Sequence, residues 1–252
     1  MKDFFRSYGK TLLFFAAVGL VGGFTVGLYL LDSYPAEIVA QIQAQGLNDT
    51  LLGLITAVQS AAYGAVLGGI GIWLGKKLGL WRDERSITRK PLLWTIGISL
   101  VAGPAMILPD ILYFGKHVPA IAESYAAKPT IPYLIGTVTY GAIIEEVMLR
   151  LFCMSLIAFL LWQIFDRKAK KPSVGILVAA NIIAALLFAA GHLPTTFAMI
   201  GTTPMIIVRC FLLNGIFSLA FGWLYRKHGL RYAMLAHGGC HIVSKLIWIL
   251  WL

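Results

Sequence analysis

Long apolar stretches follow one another along almost the whole of this 252-residue chain. A helix of about 20 apolar residues crosses a hydrocarbon core of roughly 30 Å. Hydropathy windows of about 19 residues predict spans at 11–31, 52–75, 93–114, 133–165, 174–192, 203–225 and 231–252. The sequence therefore predicts an all-α, polytopic transmembrane helix bundle of about seven helices, with room for an eighth. We expect one integral membrane domain over 1–252.

The composition agrees with membrane insertion. Hydrophobic residues make up 59% of the chain and charged ones 13%, against about 45–50% and 25% in soluble domains. A net charge of +10 would favour nucleic acid as the partner of a soluble protein. Here the bases lie in short segments between the spans, where they set topology and meet anionic headgroups. We predict a lipid bilayer and no nucleic acid as partner.

The loop charges alternate along the chain. Sixteen of the 21 bases fall before the first span, around 76–90, in 167–171 and in 226–231. By the positive-inside rule, this pattern predicts a cell-membrane protein with a cytoplasmic N-terminus and a C-terminus on the opposite side. The fourth span, at about 33 residues or roughly 50 Å of helix, must be tilted, broken or partly outside the lipid.

Several ionisable residues interrupt the apolar spans, where each costs roughly 2.5–3.5 kcal/mol on insertion scales. Such residues either form pairs that only hold the helices together or make up a functional site, and their occurrence in several spans favours the functional site. In "GAIIEEVMLRLFC", Glu146 and Arg150 are four residues apart and can form an ion pair on one helical face. Glu145 lies about 100° around the helix without a partner in its own span. It is the leading candidate for a general base or acid.

The last span carries "HGGCHIVSK", in which His237, His241 and Lys245 share one helical stripe. An i, i+4 histidine pair suits two metal ligands, hydrogen bonds to an oxyanion or substrate, or hydrogen bonds between helices. His192 precedes Pro194, which predicts a helix end there. Arg209 is expected to pair with an acid or with backbone carbonyls.

Together these residues resemble the CPBP family of intramembrane proteases, also called the Abi family, which includes the type II CAAX prenyl endopeptidases. The family's Glu-Glu-x-x-x-Arg motif matches Glu145, Glu146 and Arg150, and its Phe-x-x-x-His motif matches Phe188 and His192. Its His-x-x-x-Asn motif matches His237 and His241. The resemblance covers 130–252, the predicted core. The chain departs from the family at Leu149, Leu151 and His241, which stand where phenylalanine, glycine and asparagine are common.

The resemblance implies hydrolysis of a peptide bond in a membrane-bound or lipidated protein. Glu145 and His192 would activate water, His237 and His241 would stabilise the oxyanion, and Glu146, Arg150 and Phe188 would support them. The preferred mechanism needs no cofactor. The name metalloprotease adds zinc, held by His192, His237, His241 and Glu145, as an alternative. A non-proteolytic regulator of the same fold, partnering a sensor kinase or acting in bacteriocin immunity, is the alternative function. A transporter is disfavoured because no inverted repeat is visible.

One geometric difficulty follows from these spans. Counted along the helices, His192 lies about 27 Å from the cytoplasmic side and His237 only about 9 Å from it. The two histidines can meet Glu145 only if helices are tilted or broken, or if the predicted boundaries are wrong.

Overall fold

The computed structural model describes residues 2–83 and 86–252. Arg85, one of the bases counted for the topology, lies outside the described residues. Seven helices in the described chain are long and apolar enough to cross a membrane, which confirms the predicted number. They are α1 Asp3–Ser33, α3 Asp49–Leu78, α4 Arg89–His117, α6 Ile131–Phe165, α7 Val174–Ile200, α8 Pro204–His228 and α9 Leu230–Trp251. The short helices α2 (Ala36–Ala44) and α5 (Pro119–Glu123) lie between spans.

The outer surface of the bundle is apolar. Large side chains such as Leu13, Val101 and Ile131 are more than two-thirds exposed. In water such a surface would be costly, whereas hydrocarbon is as apolar as the side chains themselves. The chain is therefore a multi-pass membrane protein.

Helix α6 is continuous over 35 residues, or about 52 Å, so the long fourth span is not broken. Two stretches within it, Thr137–Glu145 and Val147–Met154, have the wider turns of a π-helix. Such turns occur often at functional sites because they change which side chains share a helical face. Here they flank Glu146.

Glycines let neighbouring helices approach closely. A Cβ atom on Gly239 of α9 would lie 2.3 Å from the Ser99 hydroxyl of α4, and one on Gly23 of α1 would lie 2.2 Å from the Thr56 carbonyl of α3. The Thr56 hydroxyl uses this proximity to donate to the Gly23 carbonyl at 2.6 Å. Small residues at such contacts allow the close packing and interhelical hydrogen bonds that hold membrane helices together.

Pro194 does not end its helix, so that prediction was wrong. Helix α7 continues to Ile200 with Pro194 inside it, and His192 lies within the helix instead of at its end. Proline removes one backbone donor, but unwinding the remaining turns would expose several more backbone groups to an apolar environment. Keeping the helix is therefore the less costly outcome.

Arg209 of α8 pairs with an acid, the first of its two predicted partners. Its guanidinium binds the Asp110 carboxylate of α4 at two points: Nε donates to Oδ1 at 2.6 Å, and Nη2 donates to Oδ2. The Tyr125 hydroxyl donates to the same carboxylate at 2.8 Å. Asp110 is 1% exposed. The ion pair therefore joins two membrane helices and the loop after α5, away from the glutamates.

Candidate active site

Glu146 and Arg150 form the most deeply buried part of a polar cluster between α6, α7, α8 and α9. Arg150 Nη1 lies 3.0 Å from Glu146 Oε1, as the i, i+4 spacing predicts. The other end of the guanidinium donates to the Ser218 hydroxyl at 2.7 Å. Phe188 and Phe221 cover it with their rings at 4.9 and 5.5 Å. A charge this deep is held because ionic, hydrogen-bonding and aromatic groups all compensate it.

His237 joins the same carboxylate from α9. Its Nδ1 lies 2.9 Å from Glu146 Oε1, and its ring stacks on Phe221 at 4.7 Å with 19° between the planes. A carboxylate paired with arginine only accepts hydrogen bonds, so Nδ1 carries the imidazole proton. In neutral His237 the other nitrogen, Nε2, is consequently an acceptor. Glu146 thus determines both the orientation of this imidazole and its tautomer.

Glu145 stands apart from that pair. Its carboxylate is partly exposed, at 17%, whereas the Glu146 side chain is fully buried. Glu145 Oε2 lies 4.0 Å from His237 Nε2, which is too far for a direct hydrogen bond. In the described part of the chain, His237 is the one basic side chain within this distance of Glu145. Two acceptors therefore face one another across a gap in which a donor is needed.

His241 lies one turn after His237 and stacks on it at 4.9 Å. Its Nδ1 is buried and, among residues 2–83 and 86–252, has no hydrogen-bond partner. On the other side its Nε2 approaches α6 so closely that a Cβ on Gly141 would lie 3.2 Å away. His241 therefore brings an unused hydrogen-bonding nitrogen to the cluster, on the helix that also carries His237.

His192 contributes the third imidazole. Its Nδ1 lies 2.8 Å from the Phe188 carbonyl one turn earlier, and its ring packs edge-on against the Phe188 ring at 4.6 Å. The Phe188 ring also packs edge-on against the His237 ring at 6.2 Å, so Phe188 links His192 to His237. The Phe188 side chain thus contacts His192 and the Arg150 guanidinium at once, which joins α7 to the buried ion pair.

The depth difficulty does not come from the span boundaries. Helices α7 and α9 begin at Val174 and Leu230, within one residue of the predicted starts, so the counts along both helices hold. The two helices therefore cannot both begin at the same level and cross the membrane upright. His237 reaches both glutamates of α6 in the folded chain.

Three other polar side chains within the spans make contacts of their own. The Lys245 ammonium sits over the Tyr133 ring at 4.9 Å and near Trp248. Asn214 donates to the Cys210 carbonyl within its own helix, and Asn181 donates to the Leu219 carbonyl across to α8. Each of these groups makes a hydrogen bond or cation–π contact that does not involve Glu145 or Glu146. None of them therefore serves as a partner of the two glutamates.

The donor atoms do not fit zinc as they stand. Tetrahedral zinc holds nitrogen and oxygen ligands at about 2.0–2.1 Å, which places them about 3.4 Å apart. The Glu145 and His237 donors are 4.0 Å apart. No group of three histidine, cysteine or acidic side chains in the described residues is arranged to hold a metal.

A cleft opens beside the cluster between α6 and α9. Its volume is about 190 Å³. Five of the eight side chains around it are apolar, and all eight come from the two helices: Leu134, Thr137, Val138, His241, Ile242, Lys245, Leu246 and Ile249. Ile242 and Leu246 are half-exposed on the outer surface of the bundle. His241 therefore borders both the polar cluster and an apolar cleft.

Ser218 and Phe221 were not predicted from the sequence, although both contact the cluster. Ser218 accepts from Arg150, and Phe221 stacks on His237. Neither residue carries a charge, so nothing in the sequence distinguishes them from the other uncharged residues of the sixth span. The available signal was their i, i+3 spacing, which places them on one face of α8.

The comparisons with known proteins bear on this same part of the chain. Searches of curated proteins and of solved structures find no match. One family model does match, that of the type II CAAX prenyl endopeptidases described as Rce1-like, over residues 127–243. The matched segment begins just before α6 and contains all three motifs. The predicted resemblance to this family is thus confirmed for residues 127–243.

Proposed function

We propose that this protein is an intramembrane endopeptidase in which Glu145 activates water for attack on a peptide bond. The observation that carries the proposal is the 4.0 Å gap between Glu145 Oε2 and His237 Nε2. Both atoms are hydrogen-bond acceptors, and a water molecule has two protons to donate. One water placed about 2.8 Å from each atom would satisfy both and leave its oxygen lone pairs free.

In the proposed reaction, Glu145 takes a proton from this water while the water oxygen adds to the carbonyl carbon of the substrate. The carbonyl becomes an oxyanion, which His241 stabilises by donation from Nδ1. His237 stays neutral and accepts a hydrogen bond at Nε2 from the second O–H of the water, which orients the attacking oxygen. The C–N bond then breaks, and Glu145 returns its proton to the leaving amine.

His192 keeps the role that the family motif implies for it, which is to help position the water. Its Nδ1 contact with the Phe188 carbonyl makes Nε2 the nitrogen available to the cluster. Glu146 and Arg150 are positioning residues in this proposal. They act through His237, whose orientation and tautomer they hold.

The substrate class is proposed from the family and from the cleft. The family acts on prenylated proteins, and the apolar cleft between α6 and α9 borders His241 on the outside of the bundle. A peptide attached to a lipid would enter from the bilayer with its apolar part in this cleft. We therefore propose a membrane-bound or lipidated peptide as the substrate, and no cofactor.

The test is cleavage of a prenylated CAAX peptide by the purified full-length chain in lipid vesicles. Replacing Glu145 with Gln keeps the shape of the side chain and removes the base, so the rate should fall about 10²- to 10⁴-fold. Glu37→Gln is the matched control, because Glu37 is exposed on α2, and it should cleave at the rate of the unchanged protein.

Unchanged cleavage by folded Glu145→Gln would contradict the mechanism. If the wild-type chain binds membrane peptides but cuts none of them, the non-proteolytic regulator would replace the protease. Adding a chelator, with metal content measured in the same samples, tests the metal-free form of the proposal. We expect the rate to stay unchanged and the metal to be substoichiometric.

A further inference from the structure

A second polar site lies at the N-terminal end of α9. There α8 turns into α9, and the loop before α4 contacts both helices. A small cavity there is surrounded by Arg82, Ser86, Thr88, Pro91, His228, Arg231 and Tyr232. Its volume is about 70 Å³. At about 10–15 Å³ for each water, this is room for about five non-hydrogen atoms, or one phosphate group.

Two arginines are fixed at this cavity by reciprocal hydrogen bonds. Arg82, in the loop, donates from Nη2 to the Lys227 carbonyl at the end of α8 at 2.7 Å. Arg231, in the first turn of α9, donates from Nη1 to the Ser86 carbonyl in the loop at 3.1 Å. Each guanidinium has five N–H donors, so most of them remain for a ligand. Because these hydrogen bonds already restrict both side chains, binding a ligand would cost little further side-chain entropy.

The backbone around the cavity is built to keep this arrangement. Gly229 joins α8 to α9 with φ at +103°, and a Cβ there would lie 3.1 Å from the Arg82 side chain. On the other side, the Thr88 amide donates to the Tyr232 hydroxyl at 2.8 Å. Tyr232 is buried. The turn at Gly229 therefore leaves room for the Arg82 side chain. The hydrogen bond from Thr88 to Tyr232 attaches the loop before α4 to α9 at a second point.

The electrostatics of the cavity favour an anion. Arg82, Lys227 and Lys90 are the charged neighbours of His228, and none of the described residues that line the cavity is acidic. Asp83, the nearest acid along the described loop, accepts instead from the Trp81 indole at 2.7 Å. Positive charge is thus concentrated where no described carboxylate neutralises it.

The cavity also lies at the level where lipid headgroups are expected. The ends of α8, α9 and α4 meet there, and Trp94 and Trp223 pack edge-to-face beside it at 5.5 Å, with His228 against Trp223. Tryptophan is enriched at the boundary between hydrocarbon and water. Basic pockets between helices at this depth bind anionic headgroups.

We propose that this cavity is a binding site for the phosphate of an anionic membrane lipid, held by Arg82 and Arg231. The cavity is too small for a folded peptide segment, and its position at the helix ends suits a headgroup whose chains remain in the bilayer. His237 follows Arg231 by six residues, or about 9 Å along α9. A bound lipid would therefore fix the start of the helix that carries two of the candidate histidines. The assignment does not depend on the proteolytic function.

The test uses the purified full-length chain in nanodiscs of phosphatidylcholine, to which phosphatidylglycerol is added stepwise while Tm is measured. We expect Tm to rise and saturate. In Arg82→Gln/Arg231→Gln the concentration of phosphatidylglycerol that gives half of the rise should increase about 25-fold, at about five-fold for each arginine. Arg167→Gln, which removes an exposed base from the loop after α6, is the matched control and should respond like the unchanged chain.

The change in Tm caused by the anionic lipid, and not the starting Tm, is the informative quantity, because losing the reciprocal hydrogen bonds also lowers stability. An equal response in the double variant and in Arg167→Gln would overturn the site and indicate diffuse attraction to the bilayer. Glycerol phosphate added to phosphatidylcholine nanodiscs separates a soluble ligand from a lipid. If it reproduces the whole rise in Tm, the lipid assignment is overturned.

Discussion

Glu145 and Glu146 are adjacent in the chain but have different surroundings. Glu146 is completely buried and bound to both Arg150 and His237, whereas Glu145 is partly exposed and faces a gap. Arg150 and His237 both contact Oε1 of Glu146, and its Oε2 is buried without a hydrogen-bond partner among the described residues, so Glu146 can position other groups but is shielded from a substrate. This contrast is why we assign the chemistry to Glu145 and the positioning to Glu146.

Removing Arg150 should leave the Glu146 charge buried without its cation. We expect Arg150→Met to lower the free energy of unfolding by about 3–5 kcal/mol, as breaking one side of a buried pair commonly does. The double variant Glu146→Gln/Arg150→Met removes both charges and should recover a large part of that loss. Thermal unfolding in detergent measures both variants. Equal loss in the single and double variants would show that the arginine acts through packing and not through the ion pair.

At the scale of the helices, the site depends on how closely α6 and α9 approach. Gly141 and Gly238 lie at their contact, where a Cβ on either residue would come within 3.2 Å of His241 or of Ala142, respectively. The i, i+4 spacing on α9 aligns His237 with His241, but only this contact brings them to the glutamates of α6. The wide turns of α6 around Glu146 are part of the same arrangement.

Gly141→Ala should move the His241 imidazole by a few tenths of an ångström while leaving the helices packed. Because His241 is the proposed oxyanion donor, we expect kcat to fall roughly three- to ten-fold with little change in KM. Gly97→Ala on α4 is the control, since a Cβ there has no neighbour within 4 Å. Cleavage of the prenylated peptide gives the rates. A Gly141→Ala enzyme as active as Gly97→Ala would show that the position of His241 does not limit the reaction.

For the whole molecule, seven helices that are able to cross a membrane predict that the two ends of the chain lie on opposite sides of it. The alternation of basic loops predicts which side is which, with the N-terminus in the cytoplasm. In this orientation the basic loops face the cytoplasm. The two arginines of the proposed lipid site lie among those loops, so the site would face the cytoplasmic leaflet. The Asp110 and Arg209 pair then lies toward the opposite side.

Protease protection of terminal tags in right-side-out cell-membrane vesicles tests the orientation. We expect a tag before Lys2 to be protected and a tag after Leu252 to be removed, because an odd number of crossings separates them. Permeabilised vesicles provide the control, in which both tags should be cut. Protection of both tags, or removal of both, would contradict seven crossings, and the reverse pattern would contradict the predicted orientation.

By itself, the sequence determined the class of the protein, because hydrophobic length and composition decide membrane insertion before any tertiary contact forms. It also determined the Glu146 and Arg150 pair, which is local to one helix, and the resemblance to the family, which the order of three motifs carries. The sequence-based boundaries failed at Pro194, because an apolar environment penalises unwinding more than it penalises one missing backbone donor. Only the tertiary structure decided that His237 binds Glu146 and faces Glu145, and that Arg82 and Arg231 meet at one cavity. Those contacts join residues far apart in the chain, and they depend on the approach of helices that no spacing along a single helix encodes.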